Sequence, residues 1–439
     1  MSSSRQALRL RPLQLAIAAL LAASTGLAHA DALQDLTIKV EALQKEIDNL
    51  KKQQTVAATA NAAPANAVTG GATKGSFKLP GSDTSVTLGG YVKLDAIYNS
   101  RSAGANSGAD QSFDPTSIAV GPTAGDNERR QLTLHARQSR FFVRTATPTT
   151  YGDVKTHVEF DLFGSSGNES VSNSHNLRLR HAYGTIGGLL AGQTWSNFMM
   201  VSAGPETLDF GGPVGQTFIR QSQLRWTQPF SGGQWSVALE NPESGVTLAN
   251  GTGFRADDDR LPDLTANVGF KTSYGEFALA GVVRQIRTDS ATPATRDSRT
   301  GGGIAAYGVI PVVGSDTVSF TVAGGNGIGR YWGGIVTDGF VDAAGRLDLP
   351  QQVGGFVSYR HFWTPQLRST AALGALRVSN PGFAATTQTR RMQSAHLNLI
   401  WSPVPNTNVG IEYIYGRREV ESGLTGRLSR LQASVQTSF

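Results

Sequence analysis

From Val86 to Phe439 apolar and polar side chains alternate with period two, interrupted at intervals by turn residues, and this constrains the fold more than any other feature. Successive side chains of an extended strand point to opposite faces, so an alternating segment carries one oily face and one wet face. Val86, Leu88, Gly90, Val92, Leu94, Ala96 and Tyr98 share one face, and Thr87, Tyr91, Lys93 and Asp95 the other. Val154, Thr156, Val158, Phe160 and Leu162 alternate with Lys155, His157, Glu159 and Asp161. Windows of this kind fall near 86–98, 131–146, 152–164, 175–187, 189–195, 218–229, 233–242, 262–271, 275–287, 302–311, 316–325, 351–362, 366–377, 392–402, 407–418 and 427–439, sixteen in all. The number is even, and each window approximates the ~9–11 residues a tilted strand needs to cross a bilayer.

The connectors supply an independent test. Segments 99–130, 165–174, 196–217, 243–261, 288–301, 326–350, 378–391 and 419–426 are long, and the connectors between them are short, down to the single residue Gly188. Two rims with different loop lengths are what a closed transmembrane barrel has. A soluble β-sandwich also alternates, with its apolar faces in a dry core and its polar faces in water. Sixteen long strands with no helix between them favour the barrel, as do aromatics near strand ends at Tyr98, Phe163, Tyr183, Trp363 and Trp401 and the terminal Phe439. The expected fold class is therefore all-β, a 16-stranded antiparallel transmembrane barrel over residues 76–439. A closed sheet leaves no unpaired edge for lipid to meet.

The chain ahead of the barrel divides into three parts. Arg5, Arg9 and Arg11 precede an apolar stretch from Leu13 to Leu27 and the small-residue site Ala28-His29-Ala30, the pattern of a signal peptide over 1–30. Over 31–54, Leu33, Leu36, Val40, Leu43, Ile47 and Leu50 recur at spacings of three and four, a coiled-coil seam that buries best against copies of itself. Val and Ile at a with Leu at d favour a dimer. A lone amphipathic helix on a surface is the other reading of this segment. Residues 55–75, rich in Ala, Asn, Thr and Gly with Pro64, read as a flexible linker. The sequence has no Cys, which excludes a disulfide framework and a cysteine nucleophile, and only seven His. No metal, cofactor or catalytic set is expected: Ser174-His175-Asn176 and His157 with Glu159 have no partners at catalytic spacing, and Gly324 to Gly329 has no helix after it and reads as an outer loop. Basic residues are scattered rather than clustered, which argues against nucleic acid as a partner.

If the apolar parity faces outer-membrane lipid, the other parity faces water. Its basic members are Lys93, Arg140, Arg144, Lys155, Arg178, Arg180, Arg225, Arg284, Arg360, Arg368, Arg418 and Arg430; its acidic members are Asp95, Glu159, Asp161, Glu240, Asp263, Glu276 and Glu412. The excess is positive, and a water-filled pore with low-dielectric walls concentrates counter-ions, so small anionic solutes are the expected partners. Lys93, Arg140, Arg180 and Arg225 fall near mid-wall as a basic ladder, with Arg144 and Lys155 nearer the periplasmic end. Arginines paired with acids merely to stiffen the wall are the competing reading. The connector 196–217, apolar and rich in Gly and Pro, reads as a segment folded into the pore, or else as a loop against a neighbouring copy.

The run Ser76-Phe77-Lys78-Leu79-Pro80-Gly81 leading into Leu88-Gly89-Gly90-Tyr91-Val92-Lys93-Leu94-Asp95 resembles the DcaP-type porins. So do the blocks Ala136-Arg137-Gln138-Ser139-Arg140, Leu177-Arg178-Leu179-Arg180-His181-Ala182-Tyr183-Gly184 and Ala191-Gly192-Gln193-Thr194-Trp195-Ser196. The resemblance implies a homotrimer of sixteen-stranded barrels in the Gram-negative outer membrane, joined through barrel walls and an amino-terminal periplasmic coiled coil, rather than a dimer. It also implies passage of small anions such as dicarboxylates through a basic eyelet carried here by Arg140, Arg178, Arg180, Arg225 and Lys93. A non-selective porin and, in another class, a barrel enzyme are the alternatives.

Overall fold

The computed structural model describes residues 30–60, 68–101, 112–121, 124, 130–165, 171–255, 259–291 and 294–439. The signal peptide lies almost wholly outside them. The wall strands are β1 (Ser85–Arg101), β2 (Gln131–His135 continuing as Arg140–Thr147), β3 (Val154–Asp161), β4 (Arg178–Ile186), β5 (Leu189–Trp195), β6 (Arg220–Phe230), β7 (Gly233–Glu240) and β8 (Asp263–Thr272). They continue as β9 (Gly275–Ala291), β10 (Ala294–Pro311), β11 (Thr317–Asn326), β12 (Gln351–Phe362), β13 (Leu367–Ser379), β14 (Thr389–Trp401), β15 (Thr407–Val420) and β16 (Thr425–Ser438). Each pairs antiparallel with the next, and β16 returns to β1 through Tyr91–Ser438 to Arg101–Ser429, so the sixteen strands close into a barrel. The exposed outer surface carries Leu88, Val92, Leu94, Val143, Leu224, Val237, Leu279, Val322, Val357, Leu373, Leu397, Ile411 and Leu431, the predicted apolar parity.

Two β-bulges shift that parity where alternation cannot reveal it. Between the pairs Tyr91–Arg140 and Asp95–His135, β1 supplies three residues and β2 four, so His135 and Arg140 both point inward despite their odd spacing. On β4, Glu159 opposes His181 and Phe160 opposes Leu179, which leaves Arg180 as the extra residue and buries Arg180 and His181 side by side. The expected aromatic belt is corrected at two positions. Tyr98, Trp363 and Trp401 are on the outside, but Phe163 lies inside under Arg137, and Tyr183 stacks on His157.

The short rim is built from tight turns, most of which hold a residue at positive φ, among them Gly187 between β4 and β5 (φ 55°) and the non-glycine Asn406 between β14 and β15 (φ 67°). The long rim departs from expectation at two connectors. β9 and β10 stay paired as far as Ala291–Ala294, so 288–291 and 294–301 are strand rather than loop, and 419–426 shrinks to the four residues Glu421–Leu424.

Three segments of the long rim fold back into the barrel: 112–121, 196–217 and 326–341. Their Phe113, Ile118, Phe198, Val214, Ile328, Tyr331 and Trp332 form an apolar core with inward-facing Ala278, Ala280, Ala305, Tyr307, Ala323 and Leu376. The expected outer loop at Gly324–Gly329 is thereby corrected: Gly324–Asn326 end β11, and Ile328 is fully buried. Glycine makes the close approach possible, since a Cβ on Gly374 would stand 2.0 Å from the Val214 carbonyl oxygen.

Described by itself, the amino-terminal unit shows, among the described residues, one helix, α1 (Ala30–Ala60). It runs past the expected end at residue 54, and Val40, Leu43, Ile47 and Leu50 of its apolar stripe are exposed. Neither end of segment 55–75 is free linker. Its first six residues are helical, and Thr69 to Thr73 bond to the Ser76–Lys78 strand and to Ser85. No helix among the described residues is long and apolar enough to cross a membrane.

Candidate functional site: an arginine and aromatic arc in the lumen

The inward segment 196–217 crosses the lumen on a chain of buried polar tethers. Glu240 accepts from the Asn197 N–H at 2.7 Å and from the Ser196 hydroxyl at 3.0 Å. Farther on, Glu412 accepts from the Leu208 N–H at 2.8 Å, Arg430 donates to Asp209 at 3.2 Å, and Ser394 accepts from the Val214 N–H at 2.9 Å. Arg368 grips Glu206 bidentately at 2.6 and 2.8 Å. Segment 196–217 is thus folded into the pore, where it faces β1 to β6.

On that opposing arc the guanidiniums gather. Arg178 meets Asp161 through two parallel bonds of 2.9 and 2.6 Å. Arg180, freed from the ladder by its bulge, bridges Glu159 at 2.7 Å and Asp161 at 2.9 Å. Arg140 lies 3.4 Å from Glu159. Arg220 completes the group with no carboxylate in ion-pair range among the described residues, so four guanidiniums share two carboxylates.

Aromatic rings interleave with these cations. Arg178 lies over Phe163 and Phe210 at 5.1 and 5.0 Å, and Arg180 over Trp195 and Phe210 at 5.7 Å. Arg220 lies over Trp195 and Phe218 at 4.8 and 5.4 Å, and Arg140 over Tyr91 at 5.1 Å. Phe210 comes from segment 196–217 and Phe218 follows it directly, so the inward chain both narrows the lumen and holds the heads flat. Each such contact contributes ~0.5–2 kcal/mol and fixes the plane of a guanidinium without using its N–H donors.

Exposure separates roles within the arc. The side chains of Arg178 and Arg140 keep 31% and 21% of their surface open, whereas that of Arg180 keeps 3%. Arg180 is the buried brace that holds both acids; Arg178, Arg140 and the half-buried Arg220 are the heads a solute can reach.

The remaining expected site residues are placed differently. Arg144 sits nearer the short rim, its Nε 2.8 Å from His157 and its head 4.2 Å over Phe142. Arg225 lines a separate cavity of about 680 Å³ with Met199, Met200, Asn267 and Phe277. Lys93 is withdrawn from the lumen: its buried ammonium lies 3.1 Å from Asp95, donates to the Leu208 carbonyl at 2.6 Å and contacts Gln138. Arg284, Arg418 and Arg430 likewise hold inward segments, Arg284 by ion pairs to Asp263 and Asp338 at 3.2 and 2.6 Å. A count of inward charges therefore overstates what a solute meets.

Arg220 and the aromatic shelf are what alternation misses. Arg220 falls on the lipid-facing parity of β6, and an arginine in hydrocarbon is costly, so its presence there was the available signal that the strand end turns inward. Among the described residues no group of three or more His, Asp or Glu side chains gathers as metal ligands.

A family model described as DcaP outer membrane protein matches residues 20–439. Among solved structures, the chain is similar to the outer membrane channel DcaP of Acinetobacter baumannii, with a TM-score of 0.71 and 23% identity over 84% of this chain and 100% of that one. More distant likenesses of fold are the trimer form of OmpT of Vibrio cholerae (TM-score 0.52, 11% identity, 81% and 99% covered) and OmpF of Salmonella typhi (0.50, 10%, 81% and 98%). No curated protein matches.

Proposed function

Since the chain belongs to the DcaP outer membrane protein family, we propose that its barrel is a passive, anion-selective pore for small solutes, dicarboxylates in particular. The observation that carries this reading is the arc of four guanidiniums sharing two carboxylates opposite the inward segment. A carboxylate entering from the long rim, which faces the outside, meets Arg178 and Arg220, sheds part of its hydration, and takes the N–H donors that the rings leave open. A second carboxylate on the same solute engages Arg140 while the first is still held. Glu159 and Asp161 keep the local excess small, so binding is strong enough for entry and weak enough for release. No bond is broken and no energy source is coupled.

The same reading places the short turns and α1 in the periplasm and joins three copies through their walls and helices. The exposed Val40, Leu43, Ile47 and Leu50 stripe supports this, because a seam left in water gains by self-association.

Swelling of liposomes containing the purified protein tests the solute class. Dicarboxylates should enter faster than a neutral sugar of equal size, with monocarboxylates between them. Equal rates for all three would leave a non-selective porin, and no swelling together with ester or peptide hydrolysis would favour the enzyme reading.

A further inference from the structure

Among the described residues the outer face of the barrel is apolar along most of its height, and near the long rim it carries a group of arginines on β13 to β16. There Arg377 stands directly opposite Arg391, and Arg417 directly opposite Arg427, all on the lipid-facing parity. Like charges in directly opposed positions destabilise a sheet. One acid, Glu419, opposes Arg391 and lies 3.5 Å from Arg390 and 4.0 Å from Arg417. Arg377, Arg391 and Arg427 are exposed and make no hydrogen bond or ion pair among the described residues. Elsewhere on this rim the charges are matched: Arg287 pairs with Asp289, and Arg296 lies 3.6 Å from the same carboxylate.

Height identifies what the cluster meets. β14 runs from Trp401, exposed at the short-turn end, through Leu399 and Leu397 to Arg391. Ten residues at ~3.3 Å each and a tilt of ~40° rise ~25 Å, the height of the apolar band of an outer-membrane barrel. On β15, Ile411, Tyr413 and Tyr415 lead up to Arg417 on the same face, tyrosines beneath arginine as at a membrane interface. The cluster therefore sits at head-group level.

We propose that this patch binds the phosphate groups of a phosphorylated glycolipid in the outer leaflet. Two planar guanidiniums opposed across one strand pair and two across another offer forked donors to phosphate oxygens, and bound phosphate removes the Arg–Arg repulsion. The inference rests on the long rim facing outward. It does not rest on anion passage, so a pore without selectivity would leave it standing.

Native mass spectrometry of the intact detergent-solubilised protein, titrated with bisphosphorylated lipid A and with its dephosphorylated form, tests it. The phosphorylated lipid should be retained at least tenfold more tightly. The variant R377Q/R391Q/R417Q/R427Q should lose that difference, and the corresponding four-lysine variant should keep most of it. If the glutamine variant does not fold, R377Q alone should weaken retention about threefold. Equal retention of both lipids, unchanged retention by the glutamine variants, or equal affinity for inorganic phosphate alone would overturn the proposal. Dissociation of the glutamine variant into single copies with lipid still bound would overturn it too, assigning the patch to a contact between copies.

Discussion

At the residue scale, the arc separates groups open to the lumen from groups that hold those groups in place. Arg178 and Arg220 are accessible and lie against rings, so Arg178→Gln and Arg220→Gln remove donors while leaving the wall intact. A charge-assisted hydrogen bond contributes ~1.5–3 kcal/mol, so each change should cut the carboxylate-to-sugar permeability ratio by roughly tenfold, measured by swelling; Arg220→Gln, which breaks no ion pair among the described residues, should leave heat stability little changed. Arg180→Gln behaves differently. It removes the one cation that bonds both acids, leaving Asp161 to Arg178 and Glu159 to Arg140, and loss of one partner from a buried pair costs up to ~3–5 kcal/mol. A lowered unfolding temperature is the expected signature, and unchanged stability would show that Arg180 braces nothing. Arg140, Arg178 and Arg180 were legible because their charges fall on the wet parity of strongly alternating strands. Lys93 was misplaced because parity reports only the face on which a side chain lies, and the Leu208 carbonyl that captures it arrives from a segment 115 residues away.

At the element scale, sixteen strands and their order could be read from period two and turn signals, whereas the bulges of β2 and β4 could not. A bulge inserts one residue without changing local composition, and the one at Arg180 decides that Tyr183 faces inward; Phe163 follows the wet parity of Asp161 without one. The inward course of 196–217 was legible from its apolar, Gly- and Pro-rich composition. Its tethers were not, because Glu412, Arg430 and Ser394 lie on strands β14 to β16, far away in sequence. Glu412→Ala removes the acceptor for the Leu208 N–H, and should raise single-channel conductance and its noise as the segment loosens; an unchanged trace would contradict the tethering role.

The short turn ahead of β11 gives an acid-side expectation. Tyr359, His361 and the Phe362 N–H donate to Asp316 at 2.6, 2.7 and 2.9 Å and pull its carboxyl down to about 2. A value lowered on folding stabilises above the unfolded carboxyl value of ~3.9, and that contribution disappears as pH falls through about 2. Hydrogen exchange at Phe362 should therefore stay slow from pH 5 to 3 and rise near pH 2, and Asp316→Ala should make it fast throughout.

For the whole molecule, the closed wall follows from one physical fact: lipid tolerates no unpaired strand edge, and the pairing of β16 with β1 removes the last one. How copies associate was legible only in part. The heptads by themselves indicate self-association but favour two strands, and the proposal of a trimer rests on family likeness. Because the chain has no cysteine, single replacements report cleanly on the helix. Leu43→Cys at a seam position should cross-link copies under oxidation, whereas Lys45→Cys on the opposite face should not; equal cross-linking at both positions would mean that the seam does not bring copies together.

The most direct test of the channel account is the zero-current potential of the purified protein in a planar bilayer under a tenfold KCl gradient. An anion-selective pore drives this potential toward the chloride equilibrium value, and the variant R178Q/R220Q moves it back toward zero. A potential of cation sign, or one identical in the wild type and the variant, would contradict the central claim.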